Sequence, residues 1–132
     1  MFVFAFEYIL YYIAGVLITG GYPTENTAEL YLPSSATSCT LPGLPDSRVY
    51  HSANGGLLCG GYYTTDSCLE WSPDTGSWEE AVTLDVERDY HVSWTSTRGT
   101  FLMGGYYSAR TTTLIKPDGS QEPGFPLKYN AR

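Results

Sequence analysis

Three short apolar runs punctuate the chain, and each one leads into the same three residues, Gly-Gly-Tyr. The runs begin at Val16, Leu57 and Phe101, and the Gly-Gly-Tyr phrases that follow them are spaced by 40 and 44 residues. Each phrase is followed by a polar stretch and then by a run in which apolar and polar side chains alternate, as in a half-buried strand. The pattern therefore predicts an internal repeat built from short β-strands.

A second motif keeps the same phase along the chain. Arg48-Val49-Tyr50-His51 precedes the second Gly-Gly-Tyr, and Arg88-Asp89-Tyr90-His91 precedes the third. Self-similarity at about 40–50 residues is typical of β-propellers, in which each repeat is a small sheet that cannot bury its faces alone. With 14 Gly, 8 Pro and 12 Tyr in 132 residues, and no long stretch of helical period, the chain is predicted to be all-β.

The middle repeat contains the fullest set of features. Its apolar run and Gly60-Gly61 are followed by Trp71, a Pro-Asp-x-Gly turn at 73–76, Trp78, and then the Arg-x-Tyr-His motif. This order resembles the kelch repeat, and the resemblance extends from about Val16 to the end of the chain. It implies four-stranded antiparallel blades of a propeller that serve mostly as binding surfaces.

The resemblance divides the chain, residues 1–132, into parts of one incomplete propeller. Blade 1 is expected at about 8–40, blade 2 at about 48–80 and blade 3 at about 88–124, and the next blade would begin at 128–132. Propellers close with about four to eight blades, so about three blades leave the ring open. We expect additional blades or self-association to complete it, and we favour a fragment of a longer propeller.

Residues 1–15 fit two alternatives. Aligned with the second repeat, Tyr8 to Gly15 would be the innermost strand of blade 1, although Tyr8 and Tyr11 stand where that repeat has Arg48 and His51. The other alternative is a signal-like segment, which would be a poor one because it lacks a basic start and a clear cleavage site. Glu7 interrupts the apolar stretch, so no membrane span is expected.

The repeated residues are expected to have structural roles. Glycine has no Cβ and tolerates positive φ, so Gly-Gly allows the backbone of one blade to approach a neighbour closely. Aromatic side chains on the following strands are expected to fill the gaps between blades. The predicted structural set comprises the paired glycines, three aromatic residues and the repeated Arg and His: Gly20, Gly21, Gly60, Gly61, Gly104, Gly105, Tyr31, Trp71, Trp78, Arg48, Arg88, His51 and His91.

Charge and cysteine content limit the function further. The net charge of −7 argues against a nucleic-acid surface, which needs clustered Lys and Arg. Neither a metal nor a cofactor is expected, because the three cysteines form no C-x-x-C motif and the two histidines occupy one repeat position. Three cysteines allow three pairings and leave one over. Cys59 and Cys68 lie on consecutive strands of a predicted hairpin and could form a disulfide, but Cys39 is expected nearby, and all three could remain buried thiols. A bridge would favour an extracellular location.

No catalytic motif is present, and we predict a non-catalytic module that binds another protein through loops on one rim. The connection after each Gly-Gly and the connection that leads to Arg-x-Tyr-His are expected at that rim. Tyrosine and arginine are favoured in interface hot spots, so the expected contacts are Tyr62, Tyr63, Tyr106, Tyr107 and Arg110. The alternative is a fragment of a propeller enzyme or carbohydrate-binding protein, galactose-oxidase-like or sialidase-like, with its active residues outside this chain.

Overall fold

The computed structural model describes residues 2–6, 15–54 and 56–130, and it describes residues 2–6 by their backbone alone. All the regular secondary structure in these ranges is β-strand, and it forms three four-stranded antiparallel sheets. The predictions of an all-β fold and of antiparallel sheets are confirmed.

In each sheet the strands follow one another in chain order, so each is a simple meander. The first sheet contains β1 (Phe2–Phe6), β2 (Gly15–Thr19), β3 (Ala28–Leu32) and β4 (Thr37–Leu41). The second contains β5 (Ser52–Asn54), β6 (Leu57–Cys59), β7 (Ser67–Ser72) and β8 (Ser77–Thr83). The third contains β9 (Val92–Ser96), β10 (Gly99–Met103), β11 (Thr112–Ile115) and β12 (Gln121–Pro123).

The start of the first sheet differs from the predicted register. The strand that pairs with β2 is Phe2–Phe6, with Phe6 opposite Gly15. Gly15, predicted to end the innermost strand of blade 1, is instead the first residue of β2. The remainder of that predicted strand, from Tyr8 to residue 14, lies outside the described residues.

Two apolar clusters join the sheets in sequence. The first cluster connects the first and second sheets, and it consists of Leu17, Ala28, Leu44, Ala53, Leu58, Leu69 and Trp78. The second cluster connects the second and third sheets, and it consists of Cys59, Cys68, Val82, Leu84, Leu102 and Ile115. The first strands of the sheets are also neighbours, because β5 contacts both β1 and β9. The middle sheet is therefore covered on both faces, as its apolar residues on alternate sides require.

The predicted gap-filling aromatic residues have different environments. Trp78 is buried and Trp71, opposite it on the neighbouring strand, packs against the first cluster. The indole N–H of Trp78 donates to the carbonyl oxygen of Pro42, 2.9 Å away, in the connection that leaves the first sheet. Tyr31 on β3 is 37% exposed.

Cys59 and Cys68 are joined by a disulfide in the second cluster. They face each other directly in the pairing of β6 with β7, and both are fully buried. Cys39, on β4 of the first sheet, is exposed and free. Of the two alternatives for this pair, the bridge is the one in the structure.

Candidate functional site

The Gly-Gly pairs lie where one sheet meets the next. Gly21 N–H donates to the carbonyl oxygen of Arg48, and Gly61 N–H donates to that of Arg88. The N···O distance is 3.0 Å in each bond. All six glycines of the three pairs have positive φ, which disfavours any other residue there. We call these two sets of contacts the sheet junctions: Gly20-Gly21 with Arg48 to His51, and Gly60-Gly61 with Arg88 to His91.

Arg48 and Arg88 are fully buried and connect two sheets each. Their main chains bond to the preceding sheet, whereas their guanidinium groups bond to the sheet that follows. Arg48 donates from Nη1 to the carbonyl oxygens of Gly60 and Ser67, both 2.9 Å away. Arg88 donates to the carbonyl oxygens of Gly104 and Thr111 at 2.6 and 3.2 Å. It also donates to three hydroxyl groups, those of Ser108, Thr111 and Thr113.

The two histidines complete the junctions from the other side. Nε2 of His51 lies 3.1 Å from Oγ1 of Thr19, and Nε2 of His91 lies 2.7 Å from Oγ of Ser52, so each histidine bonds to the preceding sheet. Burial, and then the charge of the nearby arginine, lowers the pKa of His51 to about 4 and that of His91 to about 3. Both rings are therefore neutral at physiological pH.

Because both histidines are held neutral, we expect the free energy of unfolding to decrease as the pH falls from about 6.5 to about 4. The pKa of each is lower in the folded chain than in the unfolded chain, so the unfolded chain binds protons first. At about 1.4 kcal/mol per pKa unit, each histidine accounts for about 3 kcal/mol of this decrease by about pH 4, the loss at His91 continues to about pH 3, and the stability is retained above about pH 6.5.

Urea unfolding of the wild type and of His91→Gln, at several pH values in this range, measures the effect. Glutamine can keep a hydrogen bond to Ser52 but does not titrate, so its stability should fall less steeply with acid. Carboxylates titrate in both proteins, so their contributions to the pH dependence of the free energy of unfolding cancel when the two proteins are compared. Parallel curves would contradict the assignment of the effect to His91.

The same connections carry tyrosines to the surface. Tyr50 and Tyr90 each lie between a buried arginine and a buried histidine, and their rings stack with centroids 3.9 Å apart and planes at 18°. The N–H of Tyr90 donates to the carbonyl oxygen of Tyr50 at an N···O distance of 2.9 Å. The φ value is +59° for Tyr50 and +52° for Tyr90, a strained region for a bulky residue. The junctions thus hold two strained tyrosines side by side and exposed.

The four predicted contact tyrosines lie beside this stacked pair. Tyr62 N–H donates to the carbonyl oxygen of Val49 at an N···O distance of 2.8 Å, and Tyr106 N–H donates to that of Asp89 at 3.0 Å. Tyr63 and Tyr107 pack edge-on against Tyr62 and Tyr106. We call the set the tyrosine face: Tyr50, Tyr62, Tyr63, Tyr90, Tyr106 and Tyr107, with exposed fractions between 43% and 60%.

Electrostatic effects link members of this face. A hydrogen bond with the Tyr50 side chain raises the pKa of Tyr90 to about 12, with smaller contributions from burial, Tyr50, Asp89 and Tyr62. Burial raises the pKa of Asp89, and the backbone N–H groups of Tyr106 and of Asp89 itself oppose that shift. Asp89 is only 2% exposed. The face therefore holds the protonated hydroxyl of Tyr90 beside one buried acidic side chain.

Arg110, the fifth predicted contact, is exposed on the connection that follows Gly104-Gly105. Its Nε donates to the carbonyl oxygen of Leu127 at an N···O distance of 3.4 Å. Sequence reasoning missed Tyr50, Tyr90 and Asp89 as members of the site. The recurrence of Tyr50 and Tyr90 in the Arg-x-Tyr-His motif is a sequence signal that could have identified these two tyrosines. Asp89 has no such signal, because the residue before the tyrosine differs between the two repeats.

Comparison with known proteins gives no relative: no family model matches the chain, and no curated protein has a matching sequence. Within residues 2–6, 15–54 and 56–130, no helix has the length and apolar character needed to cross a membrane. The same ranges contain no cluster of three or more His, Cys, Asp or Glu side chains that could hold a metal ion.

Proposed function

We propose that the three sheets are consecutive blades of a kelch-type propeller and that the protein is a non-catalytic module that binds another protein through the tyrosine face. The proposal for the fold is supported by the equivalence of the two junctions. In both, the first residue of Arg-x-Tyr-His bonds to one sheet through its backbone and to the next through its side chain.

The proposal for the binding surface rests on one observation, the set of six exposed tyrosines, of which four are held by main-chain hydrogen bonds and two pack edge-on against their neighbours. Tyrosine provides a large contact area with few rotatable bonds and a hydroxyl that can hydrogen-bond at the rim of an interface. Because the backbone beneath these tyrosines is fixed by buried groups, little ordering is required when a partner binds.

The test compares two variants of the purified chain immobilised in equal amounts. Tyr62→Ser/Tyr106→Ser removes two rings from the tyrosine face, whereas Tyr31→Ser removes one exposed ring from β3 of the first sheet. We expect the first variant to retain its protein partners from a cell extract about tenfold less than the wild type does, and the second to match the wild type. Retained proteins are quantified by mass spectrometry.

Both variants should have the same melting temperature as the wild type within a few degrees, since exposed substitutions typically change stability by about 0.5 kcal/mol or less. Equal retention by all three chains would contradict the proposed face. Binding that survives proteolysis of the extract and is displaced by free sugars would instead support a carbohydrate-binding function.

A further inference from the structure

Asp89 is a buried carboxylate in the connection that carries Tyr90, and it has no cationic partner among the described residues. It directly precedes Tyr90, and its backbone oxygen accepts the N–H of Tyr106. Within the described part of the chain, its Oδ1 has no hydrogen-bond donor, and the groups that favour its charged form are the backbone N–H groups of Tyr106 and of Asp89 itself. The ion pairs found in the same part of the chain involve Glu122, so no cation balances this carboxylate. Buried carboxylates are normally paired because an uncompensated charge is expensive to desolvate.

The fold does not require a carboxylate at this position. In the preceding repeat the corresponding residue is Val49, whose backbone oxygen accepts the N–H of Tyr62 as that of Asp89 accepts the N–H of Tyr106. Val49 is also buried. An apolar residue therefore fills the same place at the equivalent junction, so the charge of Asp89 serves something other than the junction.

The surroundings of Asp89 favour a positive charge. The rings of Tyr50, Tyr90 and Tyr106 are exposed, and the face of a tyrosine ring attracts ammonium and guanidinium groups. The connections that build this rim also expose four acidic residues: Asp46, Asp66, Asp85 and Glu87. Arg48 and Arg88 are buried in the junctions, so Arg110 is the exposed cation on those same connections. Such a surface attracts cations over a distance.

We propose that the tyrosine face binds a lysine or arginine side chain of its protein partner, with the cation beside Asp89 and against the tyrosine rings. The inference rests on the proposed function and adds the charge of the partner. Rotation of an exposed tyrosine side chain, a fast motion at a protein surface, would give the cation access to the buried carboxylate.

The test uses blocked tetraarginine and tetralysine peptides as probes, with tetraglutamate as the probe of opposite charge. Each is titrated into the ¹⁵N-labelled chain, and amide shifts are followed by NMR. We expect shifts centred on the amides of Tyr90 and Tyr106 with the basic peptides and none with tetraglutamate. Asp89→Asn should raise the dissociation constant for tetraarginine about tenfold, because it removes the charge but keeps the shape.

Asp74→Asn is the matched control. Asp74 is exposed on the turn between β7 and β8, at the opposite end of the second sheet from the tyrosine face, and this change alters the net charge by the same amount. It should change the dissociation constant less than about twofold. Asp89→Val reproduces the residue of the preceding repeat, so it provides a folded variant that should bind tetraarginine as weakly as Asp89→Asn.

Equal weakening by Asp89→Asn and Asp74→Asn, or shifts away from the face, would overturn the inference because binding would then reflect overall acidity. The extract experiment separates this failure from failure of the proposed function. If the tyrosine variant loses its partners but Asp89→Asn retains them, protein binding stands and the cation site is wrong. If the tyrosine variant retains its partners, the proposed function is wrong.

Discussion

Gly60→Ala is expected to remove about 3–5 kcal/mol from the free energy of unfolding, whereas Gly76→Ala should remove only about 1–2 kcal/mol. The two glycines have nearly the same backbone conformation, with φ of +62° and +63°. They differ in their surroundings. A Cβ on Gly60 would overlap the carbonyl oxygen of Arg88 and lie 2.9 Å from Cε1 of His91, whereas one on Gly76 would meet nothing within 4 Å.

The comparison therefore separates two effects that usually occur together. Left-handed backbone disfavours alanine at both positions by about 1–2 kcal/mol. Only at Gly60 must the next sheet also move, and that movement would break the hydrogen bond from Gly61 N–H to Arg88. Urea unfolding followed by tryptophan fluorescence measures both losses. Equal losses in the two variants would show that the junction rearranges to accommodate the extra methyl group, which would contradict close packing around Gly60.

A loss of similar size, about 3–5 kcal/mol, is expected for Arg88→Ala. The substitution removes the guanidinium donor from the carbonyl oxygens of Gly104 and Thr111, which keep the Ser108 hydroxyl and the Gly104 N–H, respectively, as donors. It also removes a donor from buried hydroxyl groups and opens a cavity between the second and third sheets. Burial lowers the pKa of Arg88 to about 10, so the group remains charged at neutral pH and its five hydrogen bonds are charge-assisted.

Arg98→Ala is the matched control for Arg88→Ala. The side chain of Arg98 is 72% exposed and 4.0 Å from Glu122, so its removal should change stability by about 0.5 kcal/mol or less. Arg88→Lys should be intermediate, because an ammonium group cannot reach all the acceptors of a guanidinium group. Hydrogen exchange should show the largest loss of protection in β10 and β11. A change in partner binding with unaltered unfolding would assign Arg88 to the binding surface instead.

Much of the local architecture could be predicted from the residues. Alternation and apolar runs indicated the strands, because side chains on a strand point to opposite faces in turn. Repetition of Gly-Gly-Tyr indicated three equivalent units, and the hairpin spacing placed Cys59 and Cys68 on neighbouring strands, where they are now bonded. The start of the first sheet could not be predicted this way, because the pairing of Phe2–Phe6 with β2 departs from the register of the second repeat.

The sequence by itself determined the all-β class, the repeat and the residue types at each junction, since these depend on backbone preferences and on the pattern of apolar positions. Only the tertiary structure decided what the junctions present at the surface. Tyr50 and Tyr90 are 40 residues apart, yet they stack because both follow buried arginines on adjacent sheets. The same repeat position holds buried Val49 in one junction and buried Asp89 in the next. The surrounding Arg-x-Tyr-His motif is the same at both positions, so the consequence of the difference becomes visible only when the neighbours of each residue in space are known.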